Sequence, residues 1–172
     1  MKIILLGKMG AGKDTVADYL HREYAFSRWS FATKIKGIAR DLFPGQFVGG
    51  NKPRELLQKL GARMRELDED CWANYVLSRV SASNHLYLNH VITDCRYSNE
   101  LRLAQAAGFI PVRVVCREEV RLQRLEARDK VIVRETFRHP SETELDGTNI
   151  ENVLDNSGGM GELFEQIDGL IG

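Results

Sequence analysis

Short apolar runs alternate along the chain with longer segments in which apolar residues recur every three or four positions. The first apolar run, Ile3 to Leu6, is long enough for one buried strand and stops at Gly7. The other runs typical of strands are 25–31, 90–96, 109–116 and 152–156. Five such runs separated by helical segments indicate an α/β fold, with a five-stranded parallel sheet covered by helices on both faces.

In the segments between these runs, apolar residues recur with the period of a helix. The predicted helices cover 15–24, 32–42, 53–61, 70–79, 99–107, 117–128 and 160–170. Glycine and proline at 44–51 break the chain into a loop. The region from 53 to 79 is polar on one side, which suits a movable substrate-binding flap packed beside the sheet.

A glycine-rich turn joins the first strand to the first helix. Its spacing, Gly7-x-x-x-x-Gly12-Lys13, is that of the phosphate-binding loop, and it lies where that loop must lie, after a strand and before a helix. Glycines let backbone N–H groups turn inward around an anion, the helix adds its N-terminal dipole, and Lys13 adds a full charge. The stretch therefore predicts a nucleoside triphosphate site.

The residue after the lysine departs from the usual loop. That position is normally Ser or Thr, whose hydroxyl helps to hold Mg²⁺, whereas here it is Asp14, followed by Thr15. A carboxylate is also a good oxygen ligand for Mg²⁺, so a magnesium role remains chemically consistent. The alternative is that Asp14 caps the helix.

Composition and charge narrow the class of protein. At 172 residues and 43% hydrophobic content, the chain is long enough for one well-packed domain over 1–172. Lys+Arg and Asp+Glu both count 24, and a formal net charge of zero argues against a protein that coats nucleic acid. No apolar run approaches the length needed to span a bilayer.

The cysteines favour a reducing compartment. Cys71, Cys95 and Cys116 are odd in number and lack metal-like spacing, so a cytoplasmic location is the simplest expectation. The N-terminal apolar run leads directly into the loop and is interpreted as the first strand, not as a signal peptide.

Asp94 ends the apolar run that begins at His90. An apolar strand that ends in aspartate resembles a Walker B element, in which the carboxylate lies beside Mg²⁺ or its water shell. The alternative is that Asp94 caps the helix that starts near Ser98. We favour the metal-side role because the phosphate-binding loop lies upstream.

Four arginines recur on one face of the predicted helix after the fourth strand. They are Arg117, Arg121, Arg124 and Arg128. They form either a solvated stripe balanced by nearby glutamates or a clamp that neutralises transferring phosphates. We favour the clamp for Arg124 and Arg128 and expect the other two at the surface.

Further along, Ser141 and Glu144 fit a capping box, and His139 has no partner at catalytic spacing.

Short motifs spread over nearly the whole chain form an ordered set. Its most specific parts are the Lys13-Asp14-Thr15 ending of the loop and the run Asp94-x-Arg96-x-x-Asn99-Glu100. The remaining parts are Phe31-Ala32 with Ile35-Lys36, 54–61 leading to Asp70-Cys71-Trp72, His139-Pro140-Ser141-Glu142 and Asp155-Asn156-Ser157-Gly158. With this set, the chain resembles the phage-type deoxynucleoside monophosphate kinase family, within the nucleoside monophosphate kinase group of P-loop proteins.

The resemblance implies transfer of the ATP γ-phosphate to the phosphate of a (deoxy)nucleoside monophosphate, with Mg²⁺ as cofactor. It implies a three-layer P-loop NTPase fold with a substrate flap at about 44–80 and a lid at about 117–147. The implied ATP-binding residues are Gly7, Lys8, Met9, Gly10, Ala11, Gly12, Lys13, Asp14, Thr15, Asn156, Ser157 and Gly158.

The resemblance also implies an acceptor site and a catalytic set. Lys36, Arg54 and Arg96 would grip the acceptor phosphate, with Gln58 and Trp72 lining the base pocket. Asp14 and Asp94 would organise the metal, directly or through water. The implied catalytic residues are Lys13, Asp14, Asp94, Arg96, Arg124 and Arg128. An acceptor phosphate is already anionic, so positioning and charge neutralisation carry the rate.

Two other functions compete with this one. The first is a kinase for another small acceptor, of the dephospho-coenzyme A or animal-type phosphomevalonate kind; the latter also has a lysine-aspartate loop, so Asp14 does not separate them. The second is a regulatory protein that binds ATP without efficient transfer, against which the arginines argue. We expect small-molecule nucleotides as partners, neither nucleic acid nor membrane, and a monomer or homodimer.

Overall fold

A computed structural model describes residues 1–50, 53–83, 88–128 and 140–172, with the side chain of Arg128 outside the described part. Its strands are β1 (Lys2–Leu6), β2 (Ser27–Trp29), β3 (His90–Ile92), β4 (Ile110–Val115) and β5 (Asn152–Asp155). Its helices are α1 (Lys13–Tyr24), α2 (Ala32–Leu42), α3 (Arg54–Leu67), α4 (Cys71–Ser83), α5 (Ser98–Ala106), α6 (Glu118–Arg128), α7 (Pro140–Thr143) and α8 (Met160–Ile171). Pro44–Gly50 forms 3₁₀ turns.

Within the described residues, five strands form one parallel sheet in the order β2-β3-β1-β4-β5. The central strand β1 pairs with β3 through Ile3 and Val91, and with β4 through Ile3 and Ile110. Each parallel connection passes through a helix, as the right-handed crossover requires. The predicted five-stranded parallel sheet flanked by helices is confirmed.

The alternation of side chains along β1 divides the core into two layers. Ile3 and Leu5 point to the face covered by α1 and α8, whereas Ile4 and Leu6 point to the face covered by α2 to α5. All four are at most 1% exposed, as expected of a parallel strand covered on both sides. The apolar run that predicted the strand is therefore explained by burial on both faces.

Two strands are shorter than the sequence predicted. β2 begins only at Ser27, because Ala25 has a positive φ of 54° and closes the last turn of α1. β3 ends at Ile92, and the predicted strand residues that follow it form a loop at the edge of the sheet. The predicted functional residues Asp94 and Arg96 therefore lie in a loop, not in the strand.

The helices α3 and α4 pack beside the sheet, as expected of the predicted flap. Trp72, Val76 and Val80 of α4 are buried in the same core as Ile4 of β1. Mobility of the segment 44–80 stays a prediction. Among the helices in the described part of the chain, none is both long enough and apolar enough to cross a membrane.

The carboxyl ends of the parallel strands meet at one edge of the sheet. The loops that leave this edge begin at Gly7 after β1, Thr93 after β3, Cys116 after β4 and Asn156 after β5. Ligands of open α/β sheets bind at this edge. The topology thus brings the predicted chemical groups of four separate segments to one place.

Candidate active site

The phosphate-binding loop runs from Gly7 to Gly12, between β1 and α1. A Cβ at Gly7 would lie 2.2 Å from the carbonyl oxygen of Val114, and one at Gly12 would lie 1.9 Å from Nδ2 of Asn156. Both glycines also have positive φ, 136° and 100°. Only glycine is compatible with these two positions, because β4 and β5 approach the loop so closely.

Lys13 lies in the first turn of α1 and folds back over the loop. Its Nζ donates to the carbonyl oxygens of Gly7 at 2.6 Å and Lys8 at 3.1 Å. Burial, and next the positive charge of Arg96, lower its pKa to about 8, although Asp14 and Asp94 oppose the shift. The lysine is therefore near Arg96, in a place where positive charge is concentrated.

Asp14 faces solvent. Its side chain is 81% exposed, and it pairs with Arg28, whose Nη2 lies 3.4 Å from Oδ1. The N-cap of α1 is Gly12, without a side-chain capping bond, so the capping alternative for Asp14 is wrong. The carboxylate retains most of its capacity to bind a ligand.

Asp94 caps a helix, although not the helix that the sequence suggested. Its Oδ1 accepts from the Phe31 N–H at 2.8 Å, and its Oδ2 accepts from the Ala32 N–H at 2.9 Å and the Ser30 hydroxyl at 2.7 Å. These bonds satisfy the amino end of α2. The alternative prediction was that Asp94 caps α5. In the structure, the side chain of Glu100 accepts hydrogen bonds at the amino end of α5 instead.

The donor set fits a magnesium ion held mainly by phosphate and water. Among the described residues, no cluster of three or more His, Cys, Asp or Glu side chains could hold a metal by itself. Mg²⁺ typically uses one or two carboxylates together with substrate phosphates. Asp14, which is open, would supply such a ligand, and Asp94, which already accepts three hydrogen bonds, fits a contact through water. Bound Mg²⁺ would neutralise phosphate charge.

A cavity of about 300 Å³ opens beside the loop, between the sheet edge, α2 and α3. Four cationic side chains line it: Lys36, Arg54, Arg65 and Arg96. Its other walls are Met9, Phe31, Ala32, Ile35, Leu57, Gln58, Gly61, Asp94, Tyr97, Glu100, Ser141 and Glu142. The structure thus brings together four of the predicted acceptor residues, Lys36, Arg54, Gln58 and Arg96.

Trp72 does not line this cavity, and its predicted place in the wall of a base pocket stays a prediction. Its ring is 4% exposed, and its Nε1 donates to the carbonyl oxygen of Gly61 at 3.2 Å. Trp72 therefore supports α3 from behind, and Gly61 presents backbone to the cavity in its place. Local sequence cannot separate these two roles, because both place the indole beside the same helix.

Arg96 and Glu142 form the link between the loop and the cavity. Nη1 of Arg96 donates to Oε1 of Glu142 and, at 3.0 Å, to the carbonyl oxygen of Ser141. The other carboxylate oxygen of Glu142 accepts from the Met9 N–H at 3.0 Å. One carboxylate, 5% exposed, thus binds a backbone donor of the phosphate loop and the arginine of the cavity.

Glu100 fixes the backbone that carries Arg96. Its Oε2 accepts from the N–H groups of Arg96 at 2.9 Å and Tyr97 at 3.2 Å, and its Oε1 pairs with Arg65 at 2.8 Å. Burial raises the pKa of this carboxyl, against the hydrogen bonds and the charge of Arg65. The Arg65 guanidinium stacks over Tyr97 at 4.0 Å. Sequence reasoning gave Arg65 and Glu100 no role, although both lie within the resembling motifs or next to them.

The arginines of α6 differ from the prediction. Arg117 is exposed, as expected, but Arg121 is 5% exposed and donates from Nη1 to the carbonyl oxygen of Met9 at 2.9 Å. Arg121, expected at the surface, instead supports the loop. Arg124 donates to the carbonyl oxygen of Asn156 at 3.0 Å, so its clamp role stays a prediction. The side chain of Arg128 lies outside the described residues.

The turn after β5 touches the loop from the other side. Nδ2 of Asn156, a residue 3% exposed, donates to the carbonyl oxygen of Ala11 at 2.8 Å. The Ser157 hydroxyl accepts from the Arg117 N–H at 2.8 Å, and Gly158 packs against Glu162. Asn156 therefore supports the loop, and contact of this turn with adenine stays a prediction.

The predicted capping box at Ser141 and Glu144 is not formed. Glu144 instead accepts from the N–H of Ser98 at 2.7 Å and from its hydroxyl at 2.8 Å, at the amino end of α5. The carboxylate caps a helix more than forty residues away in sequence. His139 lies outside the described residues.

Comparisons with known proteins agree with this architecture. The family described as AAA domain matches residues 3–146. A search of curated protein sequences found no match.

Three similar solved structures span nearly the whole chain and are 20% identical or less. TT1252 from Thermus thermophilus has 20% identity and a TM-score of 0.61, over 99% of this chain and 96% of that one.

The second is the Deinococcus radiodurans tunicamycin resistance protein, with 18% identity and a TM-score of 0.58, over 100% of this chain and 96% of that one. The third is shikimate kinase from Acinetobacter baumannii in complex with shikimate, with 19% identity and a TM-score of 0.55, over 99% of this chain and 92% of that one. These similarities establish a P-loop kinase-like fold. The resemblance to phage-type deoxynucleoside monophosphate kinases is narrower and stays a prediction.

Proposed function

The chain belongs to the AAA domain family, and from that premise we propose that it is a kinase that transfers the γ-phosphate of ATP to the phosphate of a (deoxy)nucleoside monophosphate. The observation that carries the proposal is the single carboxylate of Glu142, which binds both the Met9 N–H of the loop and Arg96 of the cavity. A group that would hold a donor phosphate and a group that would hold an acceptor phosphate thus contact the same carboxylate. Direct transfer requires the donor and acceptor phosphates to be adjacent, and the convergence of these groups supports it.

The charges of the cavity support an acceptor that is itself anionic. Lys36, Arg54, Arg65 and Arg96 line it, and Glu100 pairs with Arg65. The apolar walls Phe31, Ile35 and Leu57 and the amide of Gln58 suit a base. A phosphate acceptor requires no general base, since its oxygen is already ionised at neutral pH.

A second candidate is a kinase for a small hydroxyl acceptor. It is favoured by one observation, the carboxylate of Asp94 in the cavity wall near Lys13, because a hydroxyl acceptor needs a base at the point of transfer. One of the similar structures is a shikimate kinase in complex with shikimate. Against this candidate, Asp94 already accepts three hydrogen bonds that cap α2.

The test is an ADP-release assay with Mg²⁺ and ATP against a panel of acceptors. The panel contains ribo- and deoxynucleoside monophosphates of each base, dephospho-coenzyme A, phosphomevalonate and shikimate. Turnover of one or more nucleotides is expected. Turnover restricted to a non-nucleotide would overturn the substrate class, and ATP binding without any turnover would favour a regulatory protein.

A matched pair of arginine variants tests the placement of the acceptor. Arg96→Ala removes a cation from the cavity and is expected to lower kcat/KM for the acceptor by about 10² to 10³. Arg102→Ala is the control, since Arg102 lies on the surface of α5 and pairs with Asp70 at 3.4 Å. Equal activity of the two variants would contradict the assignment of Arg96.

A further inference from the structure

Glu142 is a buried carboxylate whose two partners are both groups that bind anions. Its Oε2 accepts from the backbone N–H of Met9 at 3.0 Å, and its Oε1 pairs with the guanidinium of Arg96. The side chain is 5% exposed, although the residue belongs to the short helix α7 at the surface. Among acidic side chains of the described residues, this one is placed as a phosphate group would be.

We propose that Glu142 is an internal counter-anion: in the ligand-free protein its carboxylate occupies the position of a phosphate group between the loop and Arg96, and an anionic ligand must displace it to bind there. The inference rests on the proposed binding of phosphates by the loop and Arg96. It does not depend on which acceptor is phosphorylated, or on whether transfer occurs.

Electrostatics explain why an anion is needed in the ligand-free protein. Burial, and next the positive charge of Arg96, lower the pKa of Lys13 to about 8, so positive groups are concentrated beside the loop. A carboxylate that accepts from the Met9 N–H and pairs with Arg96 offsets part of this positive charge, and it satisfies a loop donor that would otherwise lack a partner. A bound phosphate would supply the same hydrogen bonds with more charge, and the two anions would repel each other at such a distance.

The surrounding contacts allow the carboxylate to leave without loss of the segment that carries it. Glu144 is held by two bonds to Ser98, and the carbonyl oxygen of Leu145 accepts from Nη2 of Arg113 at 2.8 Å. Leu145 is itself 7% exposed and packs in the core. These anchors do not involve Glu142, so its side chain can turn away while the chain from 144 onward stays in place.

A different role for Glu142 makes the opposite prediction. If the carboxylate stayed in place to orient Arg96 or to hold Mg²⁺ beside the phosphates, its removal would weaken the binding of phosphates. If it is a competitor, its removal strengthens their binding, because the apparent dissociation constant falls when the competent state becomes more populated.

The experiment measures the binding of inorganic pyrophosphate with Mg²⁺, and of MgATP, by calorimetry in the full chain and in Glu142→Gln. Glutamine retains the shape of the side chain but not its charge, so we expect binding of both ligands to tighten about tenfold or more. Glu144→Gln is the matched control, two residues away on the same segment, with an expected change of less than about twofold. Unchanged or weaker binding in Glu142→Gln, or no pyrophosphate binding by either protein, would overturn the proposal.

A measurement on the unaltered protein covers the case in which Glu142→Gln does not fold. Hydrogen exchange with and without pyrophosphate should show slower exchange of the loop amides at 10–13 and faster exchange at 141–143, where Glu142 has lost its partners. Slower exchange at both places would contradict displacement. Because neither readout needs turnover, a negative kinase assay combined with tight pyrophosphate binding would reject the proposed function and leave this inference standing.

Discussion

At the scale of single residues, Lys13 has the most unusual environment in the site. Its ammonium donates to two carbonyl oxygens of the loop, and its pKa is lowered to about 8 by burial and by Arg96. A triphosphate bound in the loop would raise that pKa, because an adjacent anion favours the charged amine. Binding and protonation of Lys13 are therefore linked.

The first prediction is that ATP binding weakens as pH rises through about 8. Below that pH Lys13 is already protonated in the free protein, and affinity is greatest; above it, binding must take up a proton, so the dissociation constant rises by up to about tenfold per pH unit. Calorimetry at pH 9 in two buffers of different ionisation enthalpy measures the uptake. Lys13→Arg, whose side chain stays charged, should bind with a flat pH profile and no uptake. An equally flat profile for the unaltered protein between pH 7 and 9.5 would contradict the linkage.

The second prediction separates the two roles of Asp94. Asp94→Asn removes the charge that receives three hydrogen bonds at the start of α2, and should lower the free energy of unfolding by about 1–3 kcal/mol in urea denaturation. Ser30→Ala removes one of those bonds and should cost about 1 kcal/mol.

The magnesium dependence of turnover distinguishes capping from a metal role. If Asp94 also contacts the water shell of Mg²⁺, the metal concentration for half-maximal activity rises in Asp94→Asn and not in Ser30→Ala. Identical magnesium dependence of the two variants would leave Asp94 as a cap alone. Unaltered stability of Asp94→Asn would contradict the capping role.

At the scale of secondary structure elements, α3 presents backbone to the acceptor cavity at Gly61. A Cβ there would lie 3.2 Å from Nη1 of Arg65 and 3.4 Å from Cδ1 of Ile35, and Trp72 binds the carbonyl oxygen of Gly61 from the opposite side. Gly61 thus leaves open space between α2 and α3, which under the proposed function would hold part of the acceptor.

The third prediction is that Gly61→Ala raises the KM for the acceptor about tenfold and leaves the KM for ATP within about twofold. The added methyl narrows the cavity, while helix propensity offsets the cost of the tight contacts, so the free energy of unfolding should change by less than about 1 kcal/mol. Steady-state kinetics and urea denaturation measure the two effects.

Gly37→Ala in α2 is the matched control. A Cβ at Gly37 meets no atom within 4 Å, and Gly37 is not part of the cavity wall in the described structure. The substitution should stabilise the protein by about 0.5–1 kcal/mol without a change in either KM. An equal rise of the acceptor KM in both variants would mean that Gly61 does not border the acceptor.

The elements also show where local patterns mislead. Apolar periodicity located the strands and helices, because it records which side of each element is buried. Two capping expectations failed: Asp94, whose alternative role was to cap α5, caps α2, and Glu144 bonds to Ser98 instead of closing its own helix. Glu100, which had no predicted role, serves the amino end of α5. A carboxylate binds whichever amide the fold brings to it, and sequence distance does not determine that.

At the scale of the whole molecule, Asn156 joins the last strand to the first loop. Its Nδ2 donates to the carbonyl oxygen of Ala11 across 145 positions of sequence, and its own carbonyl oxygen accepts from Arg124. The loop therefore has its shape only in the complete sheet.

The fourth prediction is that Asn156→Ala lowers the free energy of unfolding by about 1–3 kcal/mol and weakens ATP binding, because a buried carbonyl oxygen loses its donor and the loop loses a support. Asn152→Ala is the control, from the strand that precedes Asn156; Asn152 donates to the carbonyl oxygen of Pro111 at 3.3 Å, at the end of β5 away from the loop. Urea denaturation and calorimetry with ATP measure the two changes. Equal ATP affinity of both variants would contradict the role of Asn156 in the loop.

The sequence alone determined the sheet, the order of its elements and the phosphate-binding loop, because strand burial, helical period and the glycine spacing around Lys13 are all local. Its resemblance to a known kinase family also implied the acceptor residues Lys36, Arg54, Gln58 and Arg96, which line one cavity. Only the tertiary structure decided the contacts among them. Glu142 meets Met9 across 133 positions, and Arg121 supports the same loop across 112. Such contacts depend on how the elements pack, and a pattern of near neighbours carries no record of that.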